Sequence, residues 1–270
     1  MDDGSRDRLF AGSIPEVYDR YLVPLIFEGY AQDLAARVAA ARPTRVLEIA
    51  AGTGAVTRAM AELMPAADII ATDLNQPMID YAAAQTAARS VRWRQADATA
   101  LPFDDASFDV VVCQFGVMFF PDRVGAYREA RRVLAPGGRF LFNTWDRIEE
   151  NEVPLTVNDA VASLFPSDPP TFFRRTPHGY HDLDAIRSDL DAAGFGIVRA
   201  ETVAHRSRAA SPAHPAIGFC RGTPLSAEIE RRDPALLQPA IERATAAVAE
   251  RFGSTSIDGK IQAHILTCIR

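Results

Sequence analysis

The stretch "RVLEIAAGTGAVTRAM", residues 45–60, decides the fold. An apolar run ends at the acid Glu48, passes through a turn of small residues and continues as a helix-like segment. A strand ending in such a turn gives a ligand close backbone approach. The helix N-terminus that follows adds free N–H groups and a partial positive charge. Gly52 and Gly54 suit the turn, because a Cβ there would obstruct a ligand or demand unfavourable backbone angles. Ala50 stands where a glycine is expected. "GTGAVT" also lacks the third glycine of G-x-G-x-x-G, which weakens a dinucleotide reading.

Outward from this turn the pattern alternates. Strands are expected at 44–49, 68–72, 91–95, 108–114 and 139–145, with helices at 55–64, 75–88 and 121–134 between them. Continuous apolar strands separated by helices mean a parallel sheet covered on both faces. Before it, residues 16–41 read as helical, and Pro24 is expected to divide them into two helices. After it come a helix at 151–165, a Pro-rich aromatic stretch at 166–180 and a helix at 182–193. A sixth strand is expected at 197–205, two helical stretches within 212–252 split near Asp233–Pro234, and a seventh strand at 260–269. No linker separates two autonomous domains.

Asp73 ends the second strand, where a carboxylate can accept hydrogen bonds from two ribose hydroxyls. It can equally cap the next helix, and its position does not separate NAD from another adenosine cofactor. Two further stretches do. "QADATALPFDDASFDVVV" places Asp97 and Ala98 at the edge of the third strand, where an adenine amino group and ring nitrogen can be met. "RRVLAPGGRFLF" joins a helix to the fifth strand.

With "VLEIAAGTG", "IIATDLNQPMI", "ADATALPFDDASFDVVVCQFGVMFF" and "RVLAPGGRFLF" in order over residues 44–145, the sequence resembles the class I S-adenosylmethionine-dependent methyltransferases. The resemblance is to the branch of the ubiquinone/menaquinone C-methyltransferases. It implies a Rossmann-like α/β fold: a seven-stranded, mostly parallel sheet with strand 7 antiparallel, helices on both faces and helical lid insertions. It implies a single domain, 1–270, with an N-terminal helical lid at 1–43 and a cofactor-binding half at 44–145. The substrate-side half, 146–270, would carry insertions at 146–180 and 206–258. S-adenosyl-L-methionine is the implied cofactor. Glu48 would face its methionine end, with Ala50, Gly52, Thr53 and Gly54 lining the turn beneath methionine and ribose. Asp73 would hold the ribose hydroxyls, Leu74 and Met78 would pack near the adenine, and Asp97 and Ala98 would read its edge. Gln114 would offer its carbonyl to the amino-acid portion, with Phe115 beside the methyl. The family often has glycine at position 50. One methyl group there is tolerable if its backbone angles are ordinary.

Composition narrows the partners. The net charge of −6 argues against a nucleic-acid face. Three widely spaced cysteines in apolar contexts argue against a disulfide framework or zinc, and with no signal-peptide pattern or membrane-length apolar run point to a soluble, cytoplasmic protein. Tyr18 and Tyr21 on the N-terminal helix and His178 in "PHGYHD" are the catalytic candidates, set against packing and capping roles. Paired carboxylates suited to a metal are not evident, so no metal is expected. Aromatic residues at 115–120 and 165–173 suggest an apolar or aromatic small-molecule acceptor. Two rival readings use the same residues: an NAD(P)-dependent oxidoreductase built on "GTGAVT" and Asp73, and a cofactor-binding module without turnover. Oligomeric state is not readable.

Overall fold

In a computed structural model the described residues are 10, 12, 14–88 and 90–270. They form a seven-stranded sheet of order β3-β2-β1-β4-β5-β7-β6. The first half follows the alternation of the sequence. It runs β1 (Arg45–Glu48), α3 (Ala55–Leu63), β2 (Asp68–Asp73), α4 (Gln76–Gln85), β3 (Val91–Gln95), β4 (Phe108–Gln114), α5 (Arg123–Val133) and β5 (Leu134–Trp145). These five strands are parallel neighbours. β7 (Ile257–Ile269) runs antiparallel between β5 and β6 (Gly196–Ala209). The fold is the Rossmann-like α/β sheet that the motifs imply.

Strand residues alternate between two apolar layers because successive side chains point to opposite faces. Val46, Ile69, Val110 and Val112 meet α3 and α2 (Glu28–Ala40) on one face. Leu47, Val111, Cys113, Phe140 and Phe142 meet Tyr127 and Ala130 of α5 on the other. A strand covered on both faces must be apolar at nearly every position, which is why these segments read as continuous runs.

Three local expectations change. Pro24 does not break the N-terminal helix. A single turn, α1 (Ile14–Val17), leads into a π-type helix, Tyr18–Phe27, and then directly into α2. The Glu28 amide donates to Val23 O, five residues back. That wider winding eases the clash of the proline ring with the preceding turn. β5 begins at Leu134, so "PGG" lies inside the strand, with a register shift against β4 between Phe108 and Val110. Between β6 and β7 there are three α-helices instead of two: α9 (Ala213–Arg221), α10 (Leu225–Arg232) and α11 (Leu237–Phe252). The extra break falls at Gly222, the C-cap of α9, with Pro224 capping α10. α6 (Glu152–Ala162), α7 (Phe172–Arg175) and α8 (Leu183–Ala192) lie between β5 and β6.

Candidate functional site

The C-terminal ends of β1, β2, β3 and β4 open into one cavity of about 1000 Å³. Open α/β sheets bind ligands at this edge. All the sequence-derived cofactor residues except Gly54 line it. Gly54 instead sits behind the turn with φ +85°, where a Cβ would come within 2.7 Å of Trp93. Glycine is therefore required there for helix–strand packing. Gly52 also has positive φ, but a Cβ on it would meet no protein atom within 4 Å, so its missing side chain leaves cavity space.

Ala50 does not have ordinary backbone angles. Its φ is +53°, in the left-handed region that costs an L-residue roughly 1–2 kcal/mol. Phe115, across the cavity, shares this feature with φ +50°. Strained residues of this kind cluster at functional sites. Ala50 also abuts the residue after Phe115: a Cβ on Gly116 would lie 2.6 Å from the Ala50 Cβ, so the methyl at 50 depends on a glycine at 116.

Polar groups are fixed from below. Glu48 is buried and accepts a hydrogen bond from Thr57 Oγ1 on α3, a partner that the sequence pattern did not reveal. Burial pushes its carboxyl up to about 8, against the pull of Thr57 and Arg58. Asp73 accepts from the Gly52 amide at 2.9 Å and from the Asn75 amide at 2.8 Å. It thus ties the turn to the start of α4. Burial raises its pKa. Asp97 is exposed and accepts from the Thr99 amide and hydroxyl at 2.8 and 2.7 Å. Gln114 donates to Phe27 O at 3.4 Å, while its Oε1 and the Thr53 hydroxyl are buried without partners. Asn143 on β5, also missed in sequence, accepts from the Phe115 amide at 2.8 Å and holds that strained residue.

Glu48, Asp73 and Asp97 are the only acidic or basic side chains among the described lining residues. Arg58 lies just outside, donating to Thr53 O at 2.6 Å and pairing with Asp19 of the π-helix at 3.2 Å. That pair latches the N-terminal segment over the cavity.

A second, aromatic cavity of about 530 Å³ adjoins the first and shares Phe10, Tyr18, Phe27, Phe115 and Phe119 with it. Trp145 stacks on Phe115 with centroids 3.8 Å apart, and His178 lies beyond it. Tyr18 lines both cavities. Burial, then the Asp73 and Asp19 carboxylates, holds its hydroxyl protonated far above the usual range. Tyr21 lines neither; its ring packs edge-on to His214 at 5.4 Å. Among the described residues no three His, Cys, Asp or Glu side chains converge as a metal site, and no helix is long and apolar enough to cross a membrane.

A family model described as a methyltransferase domain matches residues 47–142, the segment that builds the first cavity. The ubiquinone/menaquinone biosynthesis C-methyltransferase UbiE of Idiomarina loihiensis is 31% identical over 171 residues, 57% of this chain and 67% of that protein. The chain belongs to the class I S-adenosylmethionine-dependent methyltransferases, in the branch of the ubiquinone/menaquinone C-methyltransferases. The demethylmenaquinone methyltransferase of Deinococcus radiodurans is 36% identical over 52% of this chain, and that of Thermus thermophilus is 43% identical over 37%. The matches span 61% and 46% of those two relatives, about half their lengths. Among solved structures, the Bacillus subtilis YcgJ protein shares the fold with a TM-score of 0.55 and 22% identity, over 90% of this chain and 98% of its own. The [4+2]-cyclase SpnF does so with 0.57 and 20%, over 90% and 80%. Likeness of fold therefore leaves the reaction open.

The cofactor of this family is S-adenosyl-L-methionine, and the groups present fit it. An acidic cavity suits a sulfonium and an ammonium. The unpartnered Gln114 Oε1 is an acceptor for an N–H, and Gly52 leaves room against the backbone.

Proposed function

We propose that the chain transfers the methyl group of S-adenosyl-L-methionine to a small, apolar or aromatic acceptor. The observation that carries this reading is the acidic lining of the first cavity: carboxyl groups at 48, 73 and 97, of which Glu48 ionises when a cation binds beside it, and no described basic side chain. A cation is stabilised there. The oxidoreductase reading is disfavoured by the missing third glycine of G-x-G-x-x-G and by the methyltransferase family match.

Glu48 and Gln114 Oε1 would take the ammonium end, and Asp73 the ribose hydroxyls. Thr53, Gly52 and Ala50 would line the floor, Leu74 and Met78 the adenine faces, and Asp97 with the Ala98 amide the adenine edge. When bound, the sulfonium supplies an already activated methyl group. The chain's own work is then alignment and exclusion of water, and alignment alone can supply about 7–11 kcal/mol. Phe115, Phe27 and Tyr18 separate the cavities and would aim the acceptor at the methyl. Tyr18, held protonated, would serve as a wall and hydrogen-bond donor and not as a base. The N-terminal segment up to residue 43 would act as a lid latched by Asp19–Arg58, over a cofactor-binding half at 44–145. The substrate-side half, 146–270, would shape the second cavity.

The aromatic lining of that cavity, and the relatives whose names specify menaquinone and ubiquinone, support an aromatic acceptor. Calorimetry with the full chain tests the reading: S-adenosylhomocysteine is expected to bind saturably and NADH not at all. The opposite result would overturn it.

A further inference from the structure

The second cavity is almost entirely apolar. Its described lining contains no Asp, Glu, Lys or Arg. A charged acceptor would lose its hydration there without a counter-charge, so the cavity suits an uncharged molecule. Its polar side-chain groups besides the Tyr18 hydroxyl are Thr223, His178 and the indole N–H of Trp145, which can only donate. The Thr223 hydroxyl is already engaged, donating to Phe219 O at 2.7 Å and accepting from the Leu225 amide at 3.2 Å. Its hydrogen-bonding is spent inside the loop.

His178 is different. Its ring Nδ1 lies 2.8 Å from Asp146 O. A backbone carbonyl can only accept, so Nδ1 carries the proton. Burial drives the ring down to about 4, so at physiological pH it is neutral and Nε2 is a bare lone pair. No described residue hydrogen-bonds Nε2, although His178 is only 5% exposed. The Nδ1–H bond to Asp146 O orients the ring, and the backbone on both sides of that bond is anchored. The His178 amide donates to Phe173 O at 2.9 Å, and His181 Nδ1 bonds to its carbonyl at 2.8 Å. Asp146 is fixed in turn, its amide on Gln262 O and its carboxylate held by Gln262 Nε2 at 2.7 Å. Nε2 is not sealed inside the protein but reaches the cavity, so a methyl acceptor that covers it without donating to it leaves its lone pair unsatisfied, which costs free energy.

We propose that His178 is the specificity-determining residue of the second cavity, its Nε2 accepting a hydrogen bond from a hydroxyl or N–H on an uncharged, largely aromatic acceptor. The proposal rests on the methyltransferase reading of the first cavity. It adds to that reading a required feature of the acceptor, a hydrogen-bond donor, and the atom that reads it.

The test uses the full chain saturated with S-adenosylhomocysteine and three probes of one shape: 1-naphthol, 1-naphthylamine and 1-fluoronaphthalene. At least one donor probe should bind about tenfold tighter than the fluoro compound, the worth of one satisfied buried acceptor. The tighter of the two tells hydroxyl from N–H. His178→Phe should level the affinities to within about twofold, while His178→Gln, which keeps an acceptor, should retain part of the preference. In histidine-labelled wild-type protein, the preferred donor probe should move the unprotonated Nε2 nitrogen resonance and 1-fluoronaphthalene should not. This readout decides the matter even if neither variant folds. Equal affinities in the wild type, no saturable binding of either donor probe, a preference that survives His178→Phe, or an unmoved Nε2 resonance would each overturn the proposal. Loss of S-adenosylhomocysteine binding with the donor preference intact would instead overturn the methyltransferase reading and leave the assignment of His178 standing.

Discussion

The two cavities meet along one aromatic wall and are built in opposite ways. The first is acidic, and apart from Phe10 and the π-helix wall it is assembled from turns at the ends of β1, β2, β3 and β4 and the loop after β4. Each polar group there is set by a short backbone segment. The second is apolar, and its walls come from residues as far apart as Phe10 and Thr223. The first holds charge beside a rigid sheet edge. The second holds shape, contributed mostly by residues outside the 47–142 span that the family model matches.

The sharpest way to break this contrast is to injure each cavity alone. Asp73→Ala removes the acceptor shared by the Gly52 and Asn75 amides and proposed for the ribose. S-adenosylhomocysteine affinity should fall about 100-fold by calorimetry, since hydrogen bonds to a charged group are worth roughly 1.5–3 kcal/mol. A loss below about fivefold would deny Asp73 its role. Glu228 does the converse work. Buried on α10, it accepts from the Thr171 amide at 2.9 Å and Arg175 Nη2 at 2.7 Å, pinning the turn that carries Phe172 and Phe173. Glu228→Ala should cost about 2 kcal/mol of stability in denaturant unfolding, a figure reduced because Arg175 is partly exposed. Cofactor-site affinity should stay within about twofold. A parallel collapse of both would mean that the cavities are not independent.

Two smaller effects refine the picture of the first cavity. Gly116→Ala should cost about 1–3 kcal/mol through overpacking against Ala50 and Cys113. Ala50→Gly should recover part of that in the double variant, beyond additivity, because it removes one of the two clashes. By itself Ala50→Gly should be nearly neutral. Relief of the left-handed strain is offset by the greater freedom of the unfolded chain. The last effect is a pH dependence. The folded Glu48 keeps its proton up to about pH 8, whereas the unfolded group loses it near the ordinary value of 4.5. Across that window the unfolded chain binds fewer protons, so this group's contribution to stability declines as pH rises. A bound ammonium favours the carboxylate, so S-adenosylhomocysteine binding should release a proton. Affinity should then rise by up to about tenfold from pH 6 to 7 and flatten near 8. Glu48→Gln should abolish both the slope and the proton release.

Much of the sheet was legible because burial on both faces forces continuous apolar runs, and because a strand's end fixes where its turn begins. Glu48, Asp73, Asp97 and Gln114 could be named from their places at strand ends, and the structure gathers them at one cavity. The left-handed backbone of Ala50 was not legible. It depends on a missing side chain at 116, sixty-six residues away. Nor was the passage of Pro24 through a widened helix, since local propensity favours a break and contacts with distant segments, α9 and Arg58 among them, hold the helix in place. The roles of Thr57 and Asn143 were hidden for the same reason, because neither belongs to a motif and each acts through a contact between elements.

The sequence by itself determined the order of strands and helices, the edge at which a ligand sits and the acidic character of that edge. Those follow from periodicity, from small residues in one turn and from carboxylates at strand ends, all of them local. The tertiary structure alone decided that His178, Trp145, Phe172 and Thr223 line a single pocket, and which imidazole nitrogen is left bare. Such juxtapositions arise from side chains distant in sequence, whose meeting no local pattern encodes.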